Sequence, residues 1–461
     1  MNKTPIQLSD HFTYPRLLRF VAPSITMMIF TSIYGVVDGF FVSNYVGKTP
    51  FAALNFIMPF IMVLSGTGFM LGTGGSAIIA RRQGEGRTDE ARCNFTMLIA
   101  VALGIGLIFA VFGNLFLNPI LRLLGTSELQ WADCRIYTRI QLVFAPMLFL
   151  QTAFQTLFVT AGKPGLGLLT SVGGGITNVV LDWLFMGPMN MGVAGAAIAT
   201  LGSRVISAVV VFAFLHNPSQ EIAVRDYLHI RPDGRRIMRI LSLGIPNGIE
   251  NAMFQFGKLA IQSTVSTLGT IAIAAQAMTN ILENLNGIAA IGIGIGMMTV
   301  VGQCLGAGRK DEAIYYIKKL TAVAEIVIIA SCALVFLATK PVTILGGMEP
   351  ESAKMCLYMV GWITVVKPIV WTLAFIPAYG LRAAGDVKFS MTVSVLCMWF
   401  SMIVSCISMW AFRVTLCIYL CRVHGFGPIA VWIGMFTDWT IRGIVFTFRF
   451  MGRRWLAHKV V

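Results

Sequence analysis

The chain has 461 residues, of which 56% are hydrophobic and only 12% charged, and its formal net charge is +15 at pH 7. Soluble domains carry about 25% charged residues, so this composition excludes an ordinary water-soluble protein. The basic residues lie between long apolar runs and form no continuous basic stretch, which favours the positive-inside pattern of membrane proteins over nucleic-acid binding.

The apolar runs predict an all-α membrane protein with twelve spanning helices. A span needs about 20 apolar residues, and its backbone groups must be hydrogen-bonded within the segment. In chain order the runs cover 17–46, 51–80, 94–117, 136–161, 166–187, 192–215, 238–267, 271–305, 316–338, 357–384, 388–412 and 428–450. The alternating strands of an outer-membrane barrel would not produce such long unbroken runs.

The lysines and arginines between these runs predict the orientation. Loops on the side of the N-terminus carry 23 of them, and loops on the opposite side carry 8. The basic side of a membrane protein faces the cytoplasm, so both termini are expected there, in the plasma (inner) membrane. An even number of spans places the two termini on the same side.

The chain repeats itself at a spacing of 222 to 223 residues. GTGGSAIIARRQGEGRTDEA (72–91) parallels GIGMMTVVGQCLGAGRKDEA (294–313), and Pro23 parallels Pro246. Segments 158–169 and 380–391 also match, whereas 192–200 and 425–433 match with ten extra residues in the second half. Such parallel repeats predict two six-helix bundles related by a pseudo-two-fold axis along the membrane normal. The predicted domains are 1–215 and 238–461, joined by a polar cytoplasmic linker over 216–237.

Four segments resemble one transporter family: SIYGVVDGFFVSNYVG (32–47), LFVTAGKPGLGLLTSVGGGITNVVLDWLF (157–185), GVAGAAIAT (192–200) and VVGQCLGAGRKDEA (300–313). Together they are similar to the multidrug and toxic compound extrusion (MATE) transporters of the bacterial type, over about residues 15 to 450. The resemblance implies twelve helices in two lobes. It also implies export of varied, often cationic, organic compounds, driven by inward movement of H⁺ or Na⁺.

Asp38 in the first span is the leading candidate for ion coupling. An ionisable side chain inside a membrane is costly, and this one has no basic residue within two helical turns in the sequence. Ion coupling needs a group that binds and releases the ion, and a carboxyl can do so by taking up H⁺ or by pairing with Na⁺. The alternative is a structural pairing with a distant helix. Pro23 and Pro246, at equivalent places in the first and seventh spans, are the candidate hinges.

Asp182 in the fifth span is the second candidate, and Asn178 lies one turn earlier on the same helical face. The resemblance implies that Asp38, Asn178, Asp182 and Thr200 form one coupling cluster. Gln155 stands where relatives carry Asn or Glu, and an amide cannot titrate, so the identity of the ion stays open. At the repeat spacing, Ala260 and Ser405 correspond to the two aspartates. Coupling is therefore expected in the first half alone, with no metal beyond Na⁺ at Asp38 and Asp182.

Other charges inside spans have competing interpretations. Glu283, flanked by Asn280 and Asn284, is a candidate for the substrate cleft, with a buried ion pair to Lys258 as the alternative. Glu250 and Lys258 are weaker cleft candidates, because a structural role near the membrane surface explains Glu250 equally well. Asp438 and Arg442, four residues apart, are predicted to pair with each other. No role is assigned to Arg204, Lys367 or Glu325.

Two functions compete: an ion-coupled exporter of organic cations, and a lipid-linked oligosaccharide flippase of the same superfamily. A flippase would need several basic side chains in its cleft for a pyrophosphate, whereas acids outnumber bases within these spans. No HExxH, GxSxG or Walker motif is present, so no enzyme is predicted, and nothing resembles a channel filter. The expected partners are small organic cations and membrane lipid, with no nucleic acid and no cofactor other than the coupling ion. The expected state is a monomer.

Overall fold

The computed structural model describes residues 14–123, 126, 128–160, 164–215, 233–238, 240–245, 248, 269–345, 347–384, 428–452 and 455. Every regular element in these residues is helical, as predicted, since only helices satisfy the backbone of such apolar segments in lipid. The described residues form two compact units. The first runs to Gly248 and includes Gly306–Gly308, and the second comprises the rest.

Eight helices of the first unit, between Tyr14 and Leu215, have described bounds. They are α1 (Tyr14–Phe41), α2 (Lys48–Gly84), α3 (Thr88–Leu115), α4 (Leu117–Leu123), α5 (Glu128–Val143), α6 (Ala145–Thr160), α7 (Pro164–Met186) and α8 (Gly192–Leu215). A π-helical turn over Val42–Val46 follows α1. Helix α1 packs against α7, α7 against α8, and α2 against both α3 and α6. These contacts place α1 beside α7, and Asp38 lies in the last turn of α1.

The predicted span 136–161 is two helices in the structure. α5 and α6 meet at Phe144 and bend by 64°. Pro146 explains the break, because its ring displaces the carbonyl four residues earlier and it has no N–H for the helix ladder. Pro146 therefore indicates the bend in the sequence, although hydropathy alone shows one continuous apolar run.

Helices α2 and α6 approach closely because glycines line their contact. A Cβ added at Gly72 would stand 2.8 Å from the Cα of Ala153, and one added at Gly68 would stand 2.8 Å from the Cα of Phe149. Both distances are shorter than real Cβ contacts, so these two positions require glycine. The pair forms a GxxxG pattern, which allows two membrane helices to pack backbone to backbone.

The second unit contains four described helices, α9 (Thr270–Gly306), α10 (Lys310–Leu345), α11 (Pro350–Ala383) and α12 (Ile429–Met451). Helix α11 packs against both α10 and α12. These helices correspond to the predicted spans 271–305, 316–338, 357–384 and 428–450. Most of the predicted span 238–267, all of 388–412 and most of the linker 216–237 lie outside the described residues.

The predicted repeat is visible in one turn of each half of the sequence. Gly86, after α2, and Gly308, after α9, adopt φ values of +75° and +76°. In both turns the N–H of the following arginine donates to the carbonyl five residues earlier, at 2.9 Å in the first and 2.8 Å in the second. Glycine adopts positive φ without steric cost, which explains why both copies of the repeat carry it there.

The helix surfaces fit a lipid environment. Nine helices among the described residues are long and apolar enough to cross a membrane, or ten if the bent α5–α6 pair counts as one span. Large apolar side chains are exposed on their outer faces, as at Leu115 (70% exposed), Leu337 (72%) and Phe448 (71%). Soluble monomers rarely expose apolar patches of this extent. The chain is a multi-pass membrane protein.

Candidate functional site

Asp38 on α1 and Asp182 on α7 meet inside the first unit. Their carboxyl groups lie within hydrogen-bonding reach of one another. Asp182 is fully buried. Among the described residues, no donor reaches either oxygen of Asp182 or Oδ1 of Asp38. Two facing carboxyls with only acceptor atoms between them require a proton or a cation to hold them together. The structure therefore brings together the two acids that the sequence singled out.

Two further residues of the predicted cluster lie on the helices beside this pair. Asn178 is buried one turn before Asp182 on α7, and its Nδ2 has no partner among the described residues. Thr200 on α8 donates its hydroxyl to the carbonyl of Ala196 at 2.9 Å, which leaves the lone pairs of its Oγ1 free to accept. Gln155 lies on α6, and its side chain is outside the described part of the chain.

A basic residue that sequence analysis left without a role belongs to this cluster. Arg204 on α8 lies close enough to Asp38 for an electrostatic interaction, and its Nη1 donates to Oε1 of Gln141 at 2.7 Å. Gln141 and Tyr137, one turn apart on α5, form the neighbouring wall, and both are buried. Asp38 therefore has a cationic neighbour, although its own stretch of sequence contains none.

The net charge of this cluster has a simple consequence. Two ionised aspartates and one arginine sum to −1, so one monovalent cation neutralises the group. We call Asp38, Asp182, Asn178 and Arg204 the acidic cluster. The local sequence around Asp38 does not reveal Arg204. The signal that could have found it is the rule that a charge inside a membrane requires a partner on another helix.

In the second unit, the partner of Glu283 is Lys367. Nζ of Lys367 on α11 lies 2.6 Å from Oε1 of Glu283 on α9 and donates to the Glu283 backbone carbonyl at 2.8 Å. Lys367 is fully buried, and its ammonium lies 5.2 Å from the ring centre of Trp371 and 6.0 Å from that of Trp439. Glu283 is thus half of a buried ion pair, as the alternative interpretation proposed, but its described partner is Lys367 and not Lys258.

The other polar residues of the predicted cleft differ in their surroundings. Asn280 accepts a hydrogen bond from Nε2 of Gln276 at 3.3 Å, whereas Asn284 is exposed. The predicted pair of Asp438 and Arg442 is confirmed, at 3.2 Å in a buried position on α12. Glu250, Lys258 and Pro246 lie outside the described residues, as do Ala260 and Ser405.

No group of three or more His, Cys, Asp or Glu side chains arranged for a metal ion occurs in the described part of the chain. The site is therefore characterised by its two facing carboxyls and their cationic neighbour.

Comparison with known proteins agrees with this architecture. The MatE family model matches the chain twice, over residues 23–184 and 246–407. The two matches begin 223 residues apart, which is the spacing of the predicted repeat. The chain is 23% identical over 388 residues to the probable multidrug resistance protein YoeA of Bacillus subtilis, covering 82% of this chain and 83% of YoeA.

Two more relatives cover nearly the whole chain. The probable multidrug resistance protein NorM of Thermotoga maritima is 22% identical, over 96% of this chain and 94% of NorM. The solved structure of a MOP superfamily transporter from Pyrococcus furiosus superposes with a TM-score of 0.89 at 18% identity, over 100% of both chains. At this identity the superposition shows the fold, and the family match carries the assignment. The repeated match to the MatE model covers more than half of the residues, so the chain belongs to the MATE family of membrane transporters.

Proposed function

We propose that this protein is an antiporter that exports diverse, often cationic, organic compounds in exchange for H⁺ or Na⁺. The observation that carries the proposal is the pair of facing carboxyls at Asp38 and Asp182, three of whose four oxygens are buried without a hydrogen-bond donor among the described residues. The relatives YoeA and NorM, both described as probable multidrug resistance proteins, support export of diverse compounds.

The acidic cluster also supports a stoichiometry. Because its net charge is −1 when both aspartates are ionised, it holds one H⁺ or one Na⁺ at a time. Exchange of one such ion for one monovalent organic cation would move no net charge across the membrane. In this scheme the ion enters from outside, α1 bends at Pro23 in its interior, and the bound organic cation is displaced outward.

The proposed orientation places both termini in the cytoplasm and the protein in the plasma membrane. It rests on the 23 basic residues of one set of loops against 8 of the other. We propose that the protein acts as a monomer, since each chain carries its own acidic cluster.

A lipid-linked oligosaccharide flippase remains the second candidate from the sequence, and the charges of the described residues disfavour it. A pyrophosphate needs several unpaired cations. Lys367 and Arg442 each pair with a neighbouring acid, and Arg204 lies beside Asp38.

The proposal is tested by efflux from vesicles in which pH and sodium gradients are imposed separately. Ethidium efflux should follow one of the two gradients, and Asp38→Asn should abolish it while leaving expression intact. Asp89→Asn, at an exposed carboxylate in the first turn of helix α3, is the matched control and should export normally. Full gradient-driven export by the Asp38 variant would contradict the proposal.

A further inference from the structure

The second unit has a groove that contains an acidic side chain of its own, apart from the acidic cluster. It lies between α10, α11 and α12 and encloses about 450 Å³. This volume falls within the range of small-molecule pockets, about 300 to 1,000 Å³. We call it the C-terminal groove, and the lining residues that matter here are Thr321, Ala322, Glu325, Leu373, Pro377 and Phe450.

Among the described lining residues, Glu325 is the one acid. It lies half-buried in the middle of α10 with the side chain of Thr372 on α11 as a polar neighbour, and it makes no ion pair with any residue that the structure describes. Lys318 lines the same groove, but it is exposed and two helical turns away, about 10 Å along the axis. A carboxylate at this depth in a span is costly unless a cation reaches it.

The other polar atoms of the groove are also suited to a cation. Oγ1 of Thr321 is buried, one turn before Glu325, and has no hydrogen-bond partner among the described residues. Pro377 has no N–H, so the carbonyl of Leu373, four residues earlier, lacks its helical partner. The Thr321 hydroxyl and the Leu373 carbonyl are thus two further oxygen atoms, besides the Glu325 carboxylate, that belong to residues lining the groove.

The remaining surface of the groove is apolar and continuous with the lipid-facing side. Ile369 and Leu373, on its α11 wall, are 65% and 41% exposed. Phe450 adds an aromatic face from α12, and aromatic faces attract organic cations. All of the lining residues belong to the second unit, whereas Asp38 and Asp182 belong to the first.

We propose that the C-terminal groove binds an amphiphilic organic cation, with its charged centre at Glu325 and its apolar body along α11 and α12. Charge complementarity selects this occupant, because a phosphate of the same size would meet the carboxylate of Glu325. The site is separate from the acidic cluster and binds without an ion gradient. Binding here does not depend on the coupling proposed above, although the ligand belongs to the same chemical class.

The test measures equilibrium binding of tetraphenylphosphonium to the purified full-length protein in phosphatidylcholine nanodiscs, with no gradient and with empty nanodiscs subtracted. Glu325→Gln should lose one binding site per protein or weaken it at least tenfold, and Glu325→Asp should retain binding. Ala322→Trp, which fills the groove without changing its charge, should lose the same site.

Glu351→Gln is the matched control, because it removes one exposed acid from the same unit outside the groove. It should bind like the unaltered protein, and the export assay with Asp38→Asn tests the coupling proposal alone. Equal tetraphenylphosphonium binding by the Glu325→Gln and Glu351→Gln variants would overturn the inference. So would displacement of the probe by added phosphatidylethanolamine, since the groove would then be a lipid site.

Discussion

At the scale of single residues, the acidic cluster combines two requirements of a coupling site. Both oxygens of Asp182 and Oδ1 of Asp38 are shielded from water, and these three atoms have no hydrogen-bond donor among the described residues. A proton or sodium ion that binds there gains contacts that bulk water would otherwise supply. Arg204 limits the negative charge, so that one monovalent ion suffices and can leave again.

This role for Arg204 leads to a prediction. Arg204→Gln leaves the cluster with a charge of −2 when both aspartates are ionised, so the coupling ion should bind more tightly and leave more slowly. Efflux should then reach half of its maximal rate at an ion concentration at least several-fold lower, with a reduced maximal rate. The measurement is the dependence of ethidium efflux on the driving ion in reconstituted vesicles.

Arg204→Lys keeps the charge and is the control for the Arg204 prediction. It should shift the ion dependence much less than the glutamine variant, although it loses the geometry of the hydrogen bond to Gln141. Identical ion dependence in the glutamine variant and the unaltered protein would show that Arg204 does not balance the cluster.

Sequence patterns predicted interactions within one helix better than interactions between helices. Asp438 and Arg442 are four residues apart, so helical geometry alone placed them in contact. Lys367 and Glu283 are 84 residues apart, and Arg204 and Gln141 are 63 apart. Which helices become neighbours depends on the fold as a whole, so these partners could not be read from spacing.

At the scale of elements, hydropathy predicted where the described spans lie because a bilayer permits so few alternatives. It missed features that leave hydropathy unchanged, namely the bend between α5 and α6 and the π-helical turn over Val42–Val46. The bend follows from Pro146. The two glycine turns at Gly86 and Gly308 were visible in the sequence because a positive φ requires a particular residue type.

The ion pair of Glu283 and Lys367 joins α9 to α11, and its removal should destabilise the second unit. Lys367→Met leaves a buried carboxylate without a partner, which costs about 3–5 kcal/mol when one member of a buried pair is removed. The thermal unfolding midpoint of the purified protein should therefore fall.

The double variant Glu283→Gln with Lys367→Met serves as the control, because it removes both charges together. It should recover most of the lost stability, since no unpaired charge remains. A double variant no more stable than Lys367→Met alone would show that the two side chains do not act as a pair.

At the scale of the whole molecule, the two halves of the chain share a repeated architecture but differ in their charged residues. The family model matches both halves at the same spacing, and the glycine turn is preserved in each. The described acids inside the spans differ between the units. The first unit holds two facing acids beside one arginine, and the second holds two acids paired with bases and Glu325, which makes no ion pair. The first unit is accordingly our candidate for ion coupling.

In the proposed cycle the acidic cluster exchanges its ion for the exported cation. The most direct measurement adds ethidium to the purified protein in weakly buffered solution and records the H⁺ or Na⁺ released. About one ion per protein should be released, since the cluster carries a net charge of −1. Asp182→Asn should release none. Undiminished release from that variant would rule out exchange at the acidic cluster.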